Sequence, residues 1–166
     1  MYPHILLWSL TFRHHTPEIA TTWVVVADRS RARILASSGD STDLAELETL
    51  VNPTGAMRQS ECSSDRQGYF KGREGSLEAG DPETDWEHKT AETFAAQVID
   101  YLETGRTSQQ FGHVVLIAAP SFLGTLRQKL PTPLARMVEL QVDKDYSKCS
   151  PKEIAAQLAK VRVART

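Results

Sequence analysis

The residues with the clearest claim to chemistry lie in and just before one stretch, "SDRQGYFKGREGSLEAGDPETD", from Ser64 to Asp85. Its charges are segregated. Arg58, Arg66, Lys71 and Arg73 occupy the first part, with Glu61 and Asp65 between them, and from Glu74 to Glu87 every charged residue is acidic. Cations set among glycines suit contact with phosphate or with an acidic partner, because a bare backbone lets charge approach closely. Tyr69 and Phe70 add π faces on which a base can stack. The competing reading is a solvated loop with no ligand. "GREG", Gly72 to Gly75, is no phosphate loop and no dinucleotide fingerprint: it lacks the Gly-Lys-Ser/Thr ending and does not join a strand to a helix at the required spacing.

Three further groups are weaker candidates. His88, beside Glu87 and Glu92, is a conceivable general base, and equally a helix-surface histidine next to a carboxylate. Asp143, Lys144 and Asp145 follow a strand, where sites of α/β proteins gather, but a charged turn explains them as well. Ser121 in "APSFLG" is expected to cap a helix N-terminus, which is also where anions bind. It lacks the glycine-flanked elbow of a hydrolase nucleophile, and no serine, histidine and aspartate are spaced to suggest a triad. The five histidines and two cysteines show no zinc-ligand spacing, so neither a metal nor another cofactor is expected.

The elements that must position these residues are legible. Trp23 to Ala27 is a continuous apolar run, as in a strand buried on both faces. Asp28, Arg29 and Ser30 are turn formers. Arg31 to Ala36 then alternates, Ala32, Ile34 and Ala36 against Arg31, Arg33 and Leu35, which completes a hairpin. Leu44, Leu47, Leu50 and Val51 fit a short helix or a third strand, and the closing Asn52-Pro53 favours the strand. A long loop, about 54 to 85, follows; loops of this length in compact domains are functional or disordered. Ala91, Phe94, Ala95, Val98, Ile99 and Leu102 form a helical stripe, with Thr84 and Glu87 as an expected capping box and Gly105 as an expected C-terminal cap. His113 to Pro120 reads as a buried strand. Phe122, Leu123, Leu126 and Leu130 mark a helix stopped by Pro131 and Pro133, and 135–143 alternates as a strand. Ser150, Pro151 and Glu153 open a last helix with a capping box. Strands and helices alternate in the second half, so those strands should be parallel. The expected fold is α/β: a single-domain mixed β-sheet with helices packed on it.

With 40% hydrophobic and 24% charged residues the chain is an ordinary globular domain, and 166 residues suffice for one core. A net charge of −2 excludes a global field for nucleic acid or anionic lipid, so any such binding needs a local basic patch. Cys62 and Cys149 make no disulfide framework, and reduced thiols in the cytoplasm are expected. Residues 1–20 hold an apolar run, "ILLWSLTF", too short to span a bilayer and without the flanks of a signal peptide. They are expected to be an extension that is poorly ordered or arises from a start codon assigned too far upstream, with an extra edge strand as the alternative. Residues 21–166 form the domain.

Several segments together resemble the bacterial host attachment protein family: "WVVVADRSRARIL" from Trp23, "LVNPTG" from Leu50, "SDRQGYF" from Ser64, "EHKTAETFA" from Glu87, "VVLIAAPSFLGTLR" from Val114 and "DKDYSKCSPKEI" from Asp143. The resemblance runs in order over about 21 to 160. The family name implies a phenotype rather than a chemistry. More distantly, the pattern is similar to the middle domain of archaeal and eukaryotic peptide-chain release factors, where a strand pair precedes a long loop, a long helix and a strand. That loop carries Gly-Gly-Gln and reaches the ribosomal peptidyl-transferase centre. Here Gln67-Gly68 and Gly72-Arg73-Glu74-Gly75 stand instead, so the catalytic tripeptide is absent.

The resemblance thus implies a release-factor-like, translation-related binding module whose loop meets RNA, the ribosome or a macromolecular partner. Arg66, Gln67, Gly68, Tyr69, Lys71, Gly72, Arg73 and Gly75 are the residues expected to bind. Two alternatives stay open: a hydrolase-like enzyme using the loop with His88 or the Asp143–Asp145 turn, and a protein-interaction factor that acts indirectly on attachment. No constellation of nucleophile, base and orienting group appears, which ranks binding first.

Overall fold

A computed structural model describes residues 21–38, 43–55 and 82–164. The first hairpin is as expected. β1 (Thr21–Ala27) and β2 (Arg31–Ser38) pair antiparallel, with Ala27 opposite Ala32 and Trp23 opposite Ala36. The ambiguous third segment is a strand, β3 (Ala45–Val51), antiparallel to β2 with a bulge near Ile34 and Leu35. Its residues are mostly exposed, which explains why periodicity alone could not decide between strand and helix.

The second half alternates as expected. The long helix α1 (Pro82–Thr107) leads to β4 (His113–Ala118), then to α2 (Pro120–Lys129), the four-residue α3 (Thr132–Ala135), β5 (Val138–Val142) and α4 (Pro151–Val163). The sheet order is β3-β2-β1-β4-β5, with β1, β4 and β5 parallel. This is the mixed α/β sheet with packed helices that the pattern implies. Only β2 runs against the rest, so β1, β3, β4 and β5 all end at one edge.

Two cores flank the sheet. On one face Phe94, Val98 and Leu102 of α1 and Phe122, Leu123 and Leu126 of α2 pack on Trp23, Val25, Ile34, Val114 and Leu116. On the other, Ile154 and Leu158 of α4 cover Val24, Val26, Val115, Ile117, Leu140 and Val142. Burying a large apolar side chain contributes about 1.5–3 kcal/mol, so these strands and helix stripes hold one another in place. The alternation in β2 follows from the same division: Ala32 and Ile34 belong to the first core, Leu35 to the second.

Three helix boundaries differ from expectation. α1 begins at Pro82, so Thr84 lies inside its first turn and not at the cap. Gly105 is also inside α1. It is glycine because a Cβ there would stand 2.5 Å from Cη2 of Trp23 and 3.0 Å from Cε1 of Phe111. The left-handed residue that ends the helix is Gln109, at φ 54; its N–H bonds the Arg106 carbonyl, and Gln110 N–H bonds that of Gly105. Finally, α2 is capped by Ala119, with no side-chain cap. Pro120 takes the first helical position, where its fixed φ and missing N–H cost nothing, and this leaves Ser121 one residue inside the helix. The expected capping box of α4 is present: Ser150 Oγ accepts from Glu153 N, and Glu153 Oε2 accepts from Ser150 N.

Candidate functional site

The strand ends collect four of the six buried polar side chains among the described residues: Asp28, Ser30, Asn52 and Ser147. Each comes from a segment that leaves the carboxyl edge or turns there. Asp28 ends β1 and folds the β1–β2 turn around its own carboxylate. Oδ1 accepts from Ser30 N at 2.6 Å, Ser30 Oγ at 2.6 Å and Arg31 N at 2.9 Å. Burial pushes the Asp28 carboxyl up, but bonds from Ser30, the Arg31 backbone and the Ser147 hydroxyl outweigh it and hold the group below its ordinary 3.8.

The residues after β3 lock onto this turn. Asn52 N donates to the Ser30 carbonyl at 2.7 Å, and Asn52 Nδ2 to the Arg29 carbonyl at 2.9 Å. Gly55 approaches so closely that a Cβ would sit 2.5 Å from the Arg29 carbonyl oxygen, which explains the glycine in "NPTG". From the other side, Glu87 in α1 stands 3.7 Å from Arg29 Nη1. Both side chains are exposed, so this pair contributes little stability. Its value is as a marker of place: the N-terminal part of α1 lies beside the same turn.

The β5–α4 loop is strapped across the opposite face. Arg31 Nη2 donates to the Ser147 carbonyl at 2.8 Å and Arg33 Nη1 to the Cys149 carbonyl at 2.6 Å. Arg33 also grips Glu46 Oε2 through Nε at 3.0 Å and Nη2 at 2.7 Å. The polar positions of "DRSRAR" are therefore structural hubs of the edge.

The candidates named from sequence are distributed unevenly. Arg66, Gln67, Gly68, Tyr69, Lys71, Gly72, Arg73 and Gly75 lie outside the described residues. His88 is exposed on α1, and its imidazole makes no hydrogen bond or ion pair among the described residues. Asp143 and Asp145 are exposed after β5, and Asp145 Oδ1 accepts from Ser147 N at 3.0 Å. His88 belongs to a helix on the first face, whereas Tyr146 and Cys149 of the Asp143 loop pack against the second core. The structure thus does not join His88 to the Asp143–Asp145 turn. Ser121 is exposed within α2, and its carbonyl accepts from Thr125 Oγ1. Among the described residues, no group of three or more His, Cys, Asp or Glu is placed to hold a metal ion. No helix of the described residues is long and apolar enough to cross a membrane.

The sequence marks Asp28 and Asn52 only as turn residues and does not single out Ser147. The available signal was the turn composition of "DRS" and "NP", which announces a turn but not that two turns interlock. The family model described as "protein required for attachment to host cells" matches residues 23–158, which spans the hairpin, the carboxyl edge and most of α4. No curated protein matches the chain. A match over most of its length, in a fold whose edge is built from the matched segments, places the chain in the family of proteins required for attachment to host cells.

Proposed function

We propose that the protein is a non-catalytic binding module that presents segment 56–81, through its cation-rich, glycine-containing first part, to RNA, with ribosomal RNA in the cytoplasm as the target. One observation carries this reading: the residues that flank the segment lie beside a single turn. Gly55 packs on the Arg29 carbonyl and Glu87 pairs with the Arg29 guanidinium, so described residues on both sides of the segment lie at the carboxyl edge. Edges of this kind are where α/β proteins carry their ligand contacts. Arg66, Lys71 and Arg73 supply charge for phosphate, and Tyr69 supplies a stacking face, with Gln67, Gly68, Gly72 and Gly75 allowing close approach. The resemblance to release-factor middle domains supports the ribosome as the source of the RNA. The missing Gly-Gly-Gln, and the separation of His88 from Asp143 and Asp145, favour binding over hydrolysis.

The test is co-sedimentation with ribosomes. The native protein should pellet with them at low salt, and the triple change Arg66→Ala, Lys71→Ala, Arg73→Ala should leave it in the supernatant with its circular dichroism unchanged. Equal pelleting of the triple variant would overturn the proposal.

A further inference from the structure

The three arginines of "DRSRAR" are used in two different ways. Arg31 and Arg33 are engaged inside the fold, on the Ser147 and Cys149 carbonyls and on Glu46, and the Arg33 side chain is only 13% exposed. Arg29 serves the fold through its backbone instead. Its carbonyl accepts from Asn52 Nδ2 at 2.9 Å and is closely approached by Gly55, while the Asp28 carboxylate fixes the next two N–H groups, of Ser30 and Arg31. The Arg29 side chain is 50% exposed and makes no hydrogen bond among the described residues. Its ion pair there is with Glu87, at 3.7 Å, too long for a hydrogen bond. The guanidinium thus keeps its planar fork of N–H donors uncommitted, on a turn whose backbone is locked from both sides. A cation held on so firm a base is pre-ordered for an anion, because little chain freedom is left to lose on binding.

We propose that Arg29 is a phosphate contact of the carboxyl edge: its guanidinium leaves Glu87 and donates to two oxygens of one RNA phosphodiester. The inference rests on the RNA reading above and adds to it a residue of the β1–β2 turn, outside segment 56–81. Glu87 is the resting partner. An exposed ion pair without hydrogen bonds is weak, whereas a bidentate arginine–phosphate pair adds two charge-assisted bonds in a matching plane, so the phosphate displaces the carboxylate. A phosphate contact positions the nucleic acid and reads no sequence, so Arg29 contributes affinity for any single strand.

The test is anisotropy of a fluorescent single-stranded RNA with the full chain. Arg29→Ala should weaken binding about fivefold at about 100 mM salt and make the salt slope shallower by about 0.7, the counterion release of one phosphate. Arg29→Lys keeps the charge and should keep the slope. The urea midpoint of Arg29→Ala should match native, since the bonds at residue 29 run through its carbonyl. Glu87→Gln should act with the opposite sign, tightening binding about twofold by releasing Arg29, and should tighten nothing in the Arg29→Ala background. A pair that only ties α1 to the turn would give the two substitutions the same sign. RNA still bound with an unchanged slope in Arg29→Ala, or an equal gain from Glu87→Gln in both backgrounds, would overturn the Arg29 contact and leave the role of segment 56–81 standing. No binding by the native chain at low salt would overturn the RNA reading and this contact with it.

Discussion

Replacing Asp28 with alanine removes the acceptor on which the carboxyl edge is organised. Three donors meet Oδ1: Ser30 N, Ser30 Oγ and Arg31 N. The Ser30 hydroxyl can rotate toward another acceptor, but the two backbone N–H groups cannot, and Asp28 is 8% exposed, so water replaces the carboxylate poorly. Hydrogen bonds to a charged group contribute about 1.5–3 kcal/mol each and are not additive, so Asp28→Ala should cost about 3–5 kcal/mol. Asp28→Asn keeps an oxygen and loses the charge, and should cost about 1–2 kcal/mol. With a urea m-value of about 2 kcal/mol/M, the alanine variant should unfold about 2 M earlier. pH supplies a second axis. The folded carboxyl titrates below its ordinary 3.8, so its contribution is full above that value and is lost as pH falls through the folded value. The gap between native protein and Asp28→Asn should therefore narrow as pH falls below 3.8 and through the lower folded value. Urea midpoints of native, alanine and asparagine proteins across pH measure both effects. An alanine midpoint within about 0.3 M of native, or a gap constant down to low pH, would refute the carboxylate's organising role.

Other outcomes follow from the same geometry. Gly105→Ala should lower the melting temperature by about 2–6 °C, because the clash with buried Trp23 costs more than the roughly 1 kcal/mol that alanine gains in a helix; a rise would show that the ring yields. Arg31→Ala and Arg33→Ala should each release the β5–α4 loop, seen as faster amide exchange from Asp143 to Cys149 with exchange in β4 unchanged. Ser150→Ala should destabilise by about 1 kcal/mol in thermal or urea unfolding, through loss of the reciprocal cap.

Apolar runs and helical stripes were readable before any coordinates because burial acts on every residue of an element at once. Trp23–Ala27, Val114–Ala118 and the stripe from Ala91 to Leu102 occupy the cores their patterns imply. Single residues at boundaries were less legible. Ser121 gives way to Ala119 because proline fixes the helix start, and Gly105 answers to Trp23, 82 positions away in sequence, and not to its own helix end. The strap from Arg31 and Arg33 to Ser147 and Cys149 joins segments separated by 116 residues, and alternation in β2 shows only that these arginines share a face. The interlocked turns of Asp28 and Asn52 are invisible for the same reason: composition marks a turn, whereas its partner is chosen by the topology of the sheet.

The proposed function is tested most directly by the salt dependence of binding to a fluorescent single-stranded RNA, followed by anisotropy. For native protein the logarithm of affinity should fall linearly with the logarithm of salt concentration. In the variant lacking Arg66, Lys71 and Arg73 the slope should be shallower by about 2, three phosphate contacts at about 0.7 each for single strands. A slope shared by both proteins, or no binding by the native chain at low salt, would contradict the account.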